Sequence, residues 1–66
     1  MDVGKSVRIA MASEGINQTR LAERIGITRQ SVSHICKQKT ANSKYIDRLA
    51  KAFDMKASDF IALGED

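Results

Sequence analysis

Apolar residues recur along this chain at the three-and-four spacing of short helices. Val3, Val7, Ala10, Met11 and Ile16 fit a first helix over about Val3 to Glu14, which Gly15 can stop by taking left-handed backbone. Leu21, Ala22 and Ile25 form the stripe of a second helix, about Gln18 to Ile25, with the Asn17 side chain placed to cap its free amides and Gly26 at its end. Thr28 is the next candidate cap, so a third helix over about Arg29 to Lys37 would bury Val32, Ile35 and Cys36. After the polar connection "KQKTANS", Ile46, Leu49, Ala50 and Phe53 sit at i, i+3, i+4 and i+7 behind a cap from Asn42 or Ser43. Phe60, Ile61 and Leu63 predict a last short helix, with Ser58 as its cap and Gly64 as its stop.

Composition agrees with an all-α bundle: there is no proline and no tryptophan, only three aromatics (Tyr45, Phe53, Phe60), and many helix-compatible residues. At 66 residues the chain predicts one domain with a modest core. Cys36 is the single cysteine and has no ligand-spaced Cys or His beside it, so neither a disulfide framework nor a metal site is expected, and a reducing cytoplasm fits. No apolar run approaches a membrane span, and the N-terminal stretch has the periodicity of a surface helix instead of a signal peptide.

Charge sharpens this picture once it is located. Between Gln18 and Lys44 stand Arg20, Arg24, Arg29, Lys37, Lys39 and Lys44 against the lone acid Glu23, whereas from Tyr45 onward acids outnumber bases. Basicity concentrated around one polar helix points to a polyanion partner. Two short helices joined at a glycine-containing sharp turn, the second polar outward and flanked by cations, describe a DNA-binding helix-turn-helix. The major groove admits one helix, and its base edges offer donor and acceptor pairs that Arg, Gln, Asn, Ser, Thr and His can read. Thr28, Arg29, Gln30, Ser33 and His34 share the outward side of the third helix. Arg29 can pair with both acceptors of a guanine and Gln30 with an adenine edge, while lysines serve mainly the backbone.

The stretches "INQTRLAERIGITRQSVSHICKQKT" and "IDRLAKAFDMKASDFIAL" resemble the phage repressor and Cro helix-turn-helix family, also called the Xre family. Gln18, Leu21, Ala22, Gly26, Val32, Ile35, Leu49, Ala50, Phe53, Asp59 and Phe60 match that family's spacing without a gap, over Val7 to Leu63. The resemblance implies a five-helix, lambda-repressor-like domain that binds a palindromic operator in double-stranded DNA as a two-fold dimer, its third helix in the major groove. It implies a phosphate contact for Gln18 and base readout for Thr28, Arg29, Gln30 and His34. Lys37, Lys39, Thr40 and Lys44 fall near the following phosphates, and the caps Asn17 and Asn42 complete the expected backbone set. Many members place a buried arginine late in helix 1 against a glutamate late in helix 3. Here those positions hold Met11 and Cys36, an apolar pair that can replace buried charges when volumes match.

Cys36 is then a small buried hydrophobe rather than a redox sensor. His34 and Cys36 stand two apart on a helix and point to different sides, which argues against a shared metal site. Arg20, Glu23 and Arg24 read as ordinary surface charges, and Tyr45 receives no role. No serine, histidine and acid arrangement, paired carboxylates or phosphate-binding glycine loop suggests an enzyme, so no cofactor or small-molecule substrate is expected. The expected function is a sequence-specific transcriptional regulator, complete in itself or the DNA-binding part of a longer repressor. A weak homodimer would use Met55, Ala57, Phe60 and Leu63. The alternative is an antitoxin or adaptor that works through protein contacts, since fold alone does not decide function.

Overall fold

A computed structural model describes residues 2–65, and among them five helices and no strand are present. They are α1 (Val3–Glu14), α2 (Gln18–Ile25), α3 (Arg29–Ile35), α4 (Ser43–Ala52) and α5 (Ala57–Leu63). The first two have the expected bounds. α3 is two residues shorter than its stripe suggests: Cys36 is its C-cap, and the Lys37 and Gln38 amides donate to the carbonyls of His34 and Ile35, tightening the chain into a turn. α5 begins earlier than expected, behind Lys56, which makes no side-chain cap bond; Ser58 lies inside the helix and does not cap it.

Local chemistry sets the other ends. Asp2, Asn17, Thr28 and Asn42 accept from the amides of Lys5, Arg20, Ser31 and Tyr45 at 2.9 to 3.1 Å, which satisfies one orphan donor at each of the first four helices. Asn42 is thus the α4 cap, and Ser43 is the first helical residue. α1 closes in a Schellman turn, with the Ile16 amide donating to Met11 at 3.0 Å. Gly26 has φ +81°, a left-handed conformation that lets α3 leave α2 at a sharp angle.

Val3, Val7, Leu21, Val32, Leu49 and Phe60 are fully buried, and Ala10, Met11, Ala22, Ile35, Cys36, Ile46, Ala50 and Phe53 complete one core. Phe53 and Phe60 stack with ring centroids 6.2 Å apart, joining α5 to the end of α4. α1 packs on α5, α2 packs on α3, and α4 bridges α2 and α5. Two arginines lace the α2–α4 seam: Arg48 donates to the Ile25 carbonyl at 2.9 Å, and Arg24 donates to the Ala52 carbonyl at 3.2 Å while pairing with Glu14. Each places a cation at the carbonyl end of the neighbouring helix. Arg24 is therefore a cross-tie as well as a surface charge, whereas Arg20 and Glu23 form only an exposed pair at 3.7 Å.

Candidate nucleic-acid interface

Burial of Val32 and Ile35 fixes the rotation of α3 and so decides what it shows to solvent. At 3.6 residues per turn, Arg29, Ser33, Gln30 and His34 fall within one arc of about 140°, opposite those two core residues. Thr28, Arg29, Gln30 and His34 are exposed, and Ser33 is half-buried. All five expected readers thus lie at the start or on the outward face of one helix. Thr28 has a second duty, since its Oγ1 accepts from the Ser31 amide at 3.1 Å and lies 2.9 Å from the Ser31 hydroxyl. Its methyl group remains the freer part of the side chain. The side-chain Nε2 of Gln38 donates to Nε2 of His34 at 2.8 Å, which holds the ring with Nδ1 as its remaining nitrogen.

A concavity of about 470 Å³ opens beside these residues, lined by Gln30, Ser31, His34, Ile35, Gln38 and Tyr45. Gln38 and Tyr45 were not marked by sequence pattern; they reach this face because the turn after α3 brings the start of α4 alongside it. The Arg48 guanidinium carbon lies 5.9 Å from the centre of the Tyr45 ring, a cation–π contact that steadies the ring at the rim.

Six of the seven expected backbone contacts fall into two groups. Lys37, Lys39, Thr40 and Lys44 are exposed along the connection from α3 to the first turn of α4. Asn17 and Asn42 are exposed too, but their side-chain oxygens already accept helix amides, leaving their amide nitrogens as donors. Gln18, the first residue of α2, is half-buried.

The turn after α3 is held from behind by α1. The amides of Val3 and Gly4, two of the unpaired donors of a helix start, donate to the carbonyls of Lys39 and Gln38 at 3.0 and 2.8 Å. Arg8 donates from Nη1 to the Cys36 carbonyl. Gly4 permits this approach, because a Cβ there would lie 2.3 Å from the Cys36 oxygen and 2.9 Å from that of Gln38. The Cys36 side chain lies in the core at 6% exposure and Met11 at 8%, as expected for an apolar pair in those positions. Burial pushes the Cys36 thiol up, and the Arg8 charge opposes that in part, so the thiol stays protonated at neutral pH.

The residues expected to meet a second copy do not all face outward. Phe60 is 0% exposed and stacked on Phe53, so it belongs to the core and offers no surface; that expectation is corrected. Met55, Ala57 and Leu63 are half-buried. Met55 and Leu63 line a groove of about 300 Å³ between α1 and the α4–α5 corner, beside Ile9, the exposed large hydrophobic residue of the described chain.

Among the described residues no group of three or more His, Cys, Asp or Glu side chains is placed to hold a metal ion, and no helix is long and apolar enough to cross a membrane.

Comparison with known proteins agrees with this arrangement. The sequence model of the Cro/C1-type HTH DNA-binding domain matches residues 7–66. The chain is 41% identical over 56 residues to the HTH-type transcriptional regulator for conjugative element R391 of Providencia rettgeri and to that for element SXT of Vibrio cholerae. It is equally similar to the regulator for element pMERPH of Shewanella putrefaciens. The match covers 85% of this chain but 26% of each relative, so the chain spans about a quarter of the length of these curated proteins. With α2 and α3 meeting at Gly26 and the family match running through all five helices, this chain belongs to the Cro/C1-type helix-turn-helix DNA-binding domains.

Proposed function

We propose that this domain is the DNA-reading part of a transcriptional regulator, and that α3 enters the major groove of a specific operator. The observation that carries the reading is the exposed row of Thr28, Arg29, Gln30 and His34 opposite the buried Val32 and Ile35, on the second helix of the motif. In this reading Arg29 and Gln30 read base edges, with Thr28, Ser33 and His34 contributing at neighbouring positions. Lys37, Lys39, Thr40 and Lys44, with the amide groups of Asn17, Gln18 and Asn42, bind phosphates on either side and set the register. The relatives named above are regulators of conjugative elements, which supports a regulatory role for this chain.

Two copies would bind a palindromic site, their α3 helices about one duplex turn apart. Met55, Ala57 and Leu63, with Ile9 beside them, would supply the small apolar contact between copies. Such a contact is weak in free solution and is strengthened when DNA aligns both partners.

An anisotropy titration tests the reading, comparing duplex from upstream of the protein's own gene with random duplex at two salt concentrations. Preference for the upstream duplex, surviving the higher salt, is the expected result. Equal binding to both duplexes overturns base readout and favours a module that acts through protein contacts.

A further inference from the structure

We infer that Arg8 is a positioning residue for DNA binding: with the first turn of α1 it fixes the turn of residues 36–39, and so the placement of Lys37 and Lys39. The inference rests on the reading of α3 and its following turn as the DNA-contacting surface. α3 has only seven residues, too few to hold a conformation by its own hydrogen bonds, so its ends must be held by the rest of the molecule. Its N-terminal end has the Thr28 cap and the turn at Gly26. Its C-terminal end has no glycine and no side-chain cap of its own.

What stands there instead is α1. The carbonyls of Cys36, Gln38 and Lys39 accept from Arg8 Nη1, the Gly4 amide and the Val3 amide respectively. Three backbone oxygens of the turn are thereby each paired with a donor from α1. The side chains of Lys37 and Lys39 remain exposed. Arg8 differs from the other two donors because it is a side chain. Its charge lies at the carbonyl end of α3, where a cation is favoured, and its reach spans the 28 residues that separate the two elements in sequence. The absence of a Cβ at Gly4 is what lets α1 come this close.

The test uses Arg8→Met, which keeps an aliphatic stem without the donors, and Arg8→Lys, which keeps a charge and a shorter-reaching donor. Amide hydrogen exchange in the free protein reads the turn directly at Val3, Gly4, Lys37 and Gln38, referred to the core amide of Leu49 so that a general loss of stability raises both together. Arg8→Met should speed exchange at those four amides relative to Leu49, and Arg8→Lys should restore part of the protection. In DNA titrations Arg8→Met should weaken binding about tenfold, the size expected for losing one charge-assisted hydrogen bond. Lys39→Ala should then cost less in the Arg8→Met background than in the original chain, because the lysine is no longer held in place.

Unchanged relative exchange in Arg8→Met overturns the inference, as does an undiminished cost of Lys39→Ala in that background. Failure of the parent reading looks different: the original chain itself would not prefer its upstream duplex, while the exchange experiment on free protein would still report on the hold of Arg8.

Discussion

At the residue scale the proposed function separates side chains that would read base edges from side chains that hold the fold. Arg29 and Gln30 are exposed and have no partner described within the fold, so their donors and acceptors are free for the base edges that the proposed function assigns to them. Arg29→Ala or Gln30→Ala should lower discrimination at one base position per half-site by about 1 to 3 kcal/mol. Lys39→Ala should instead weaken all duplexes alike and reduce the salt slope by about 1. Binding measured over a set of single-base operator variants at several salt concentrations checks both, and identical behaviour of the two classes would refute the division. Ser6 presents the opposite case, a polar side chain where none is needed. It is fully buried in α1, its Oγ has no hydrogen-bond partner among the described residues, and the close approach of Gly64 seals it from water. Leaving a buried hydroxyl unpaired costs about 1 to 3 kcal/mol, so Ser6→Ala should raise the urea midpoint without changing the denaturant slope.

At the scale of elements, the corner between α2 and α3 depends on one backbone conformation. A Cβ at Gly26 would meet nothing within 4 Å, so Gly26→Ala tests the φ of +81° alone and not packing. Left-handed backbone in an L-residue costs about 1 to 2 kcal/mol, offset in part by the lower chain entropy of alanine when unfolded. Urea unfolding should show a net loss of about 1 kcal/mol, and an unchanged midpoint would mean that the corner can be made another way. This corner was legible in sequence because a glycine and a capping threonine are local signals. α2 and α4 were legible for the same reason, each with an apolar stripe and a side-chain cap, and α1 from its stripe and the stop at Gly15. The outward face of α3 followed as the complement of Val32 and Ile35. The end of α3 was not legible: it is decided by hydrogen bonds to α1, whose donors lie some thirty residues earlier, and no local pattern marks them. Arg8 was missed on the same ground, since one arginine on an amphipathic helix looks like any solvated charge. α5 was misplaced at its start because Lys56 supplies no cap that a sequence could reveal.

For the whole molecule, one small core supplies the stability, and the proposed contact between copies would have to use what it leaves at the rim. Total stability for a chain of this size is roughly 3 to 10 kcal/mol, so no large core side chain is dispensable. Phe60 ties α5 into the core through its stack on Phe53, and truncating a buried phenylalanine costs about 3 to 5 kcal/mol. Phe60→Ala should therefore unfold much of the population at 37 °C, seen as a broad, low thermal transition by circular dichroism. Met55 and Leu63 lie on the same corner but are half-buried at the groove beside Ile9, where truncation removes less core. Met55→Ala and Leu63→Ala should keep a cooperative transition and act chiefly on self-association, read by sedimentation at several concentrations with and without operator DNA. Within α5, then, Phe60 serves the core while Leu63 stands at the rim. If Leu63→Ala unfolds the domain as severely as Phe60→Ala, the rim belongs to the core and the proposed contact between copies is not made there. If it leaves both folding and association untouched, the groove has no part in the proposed pairing of copies.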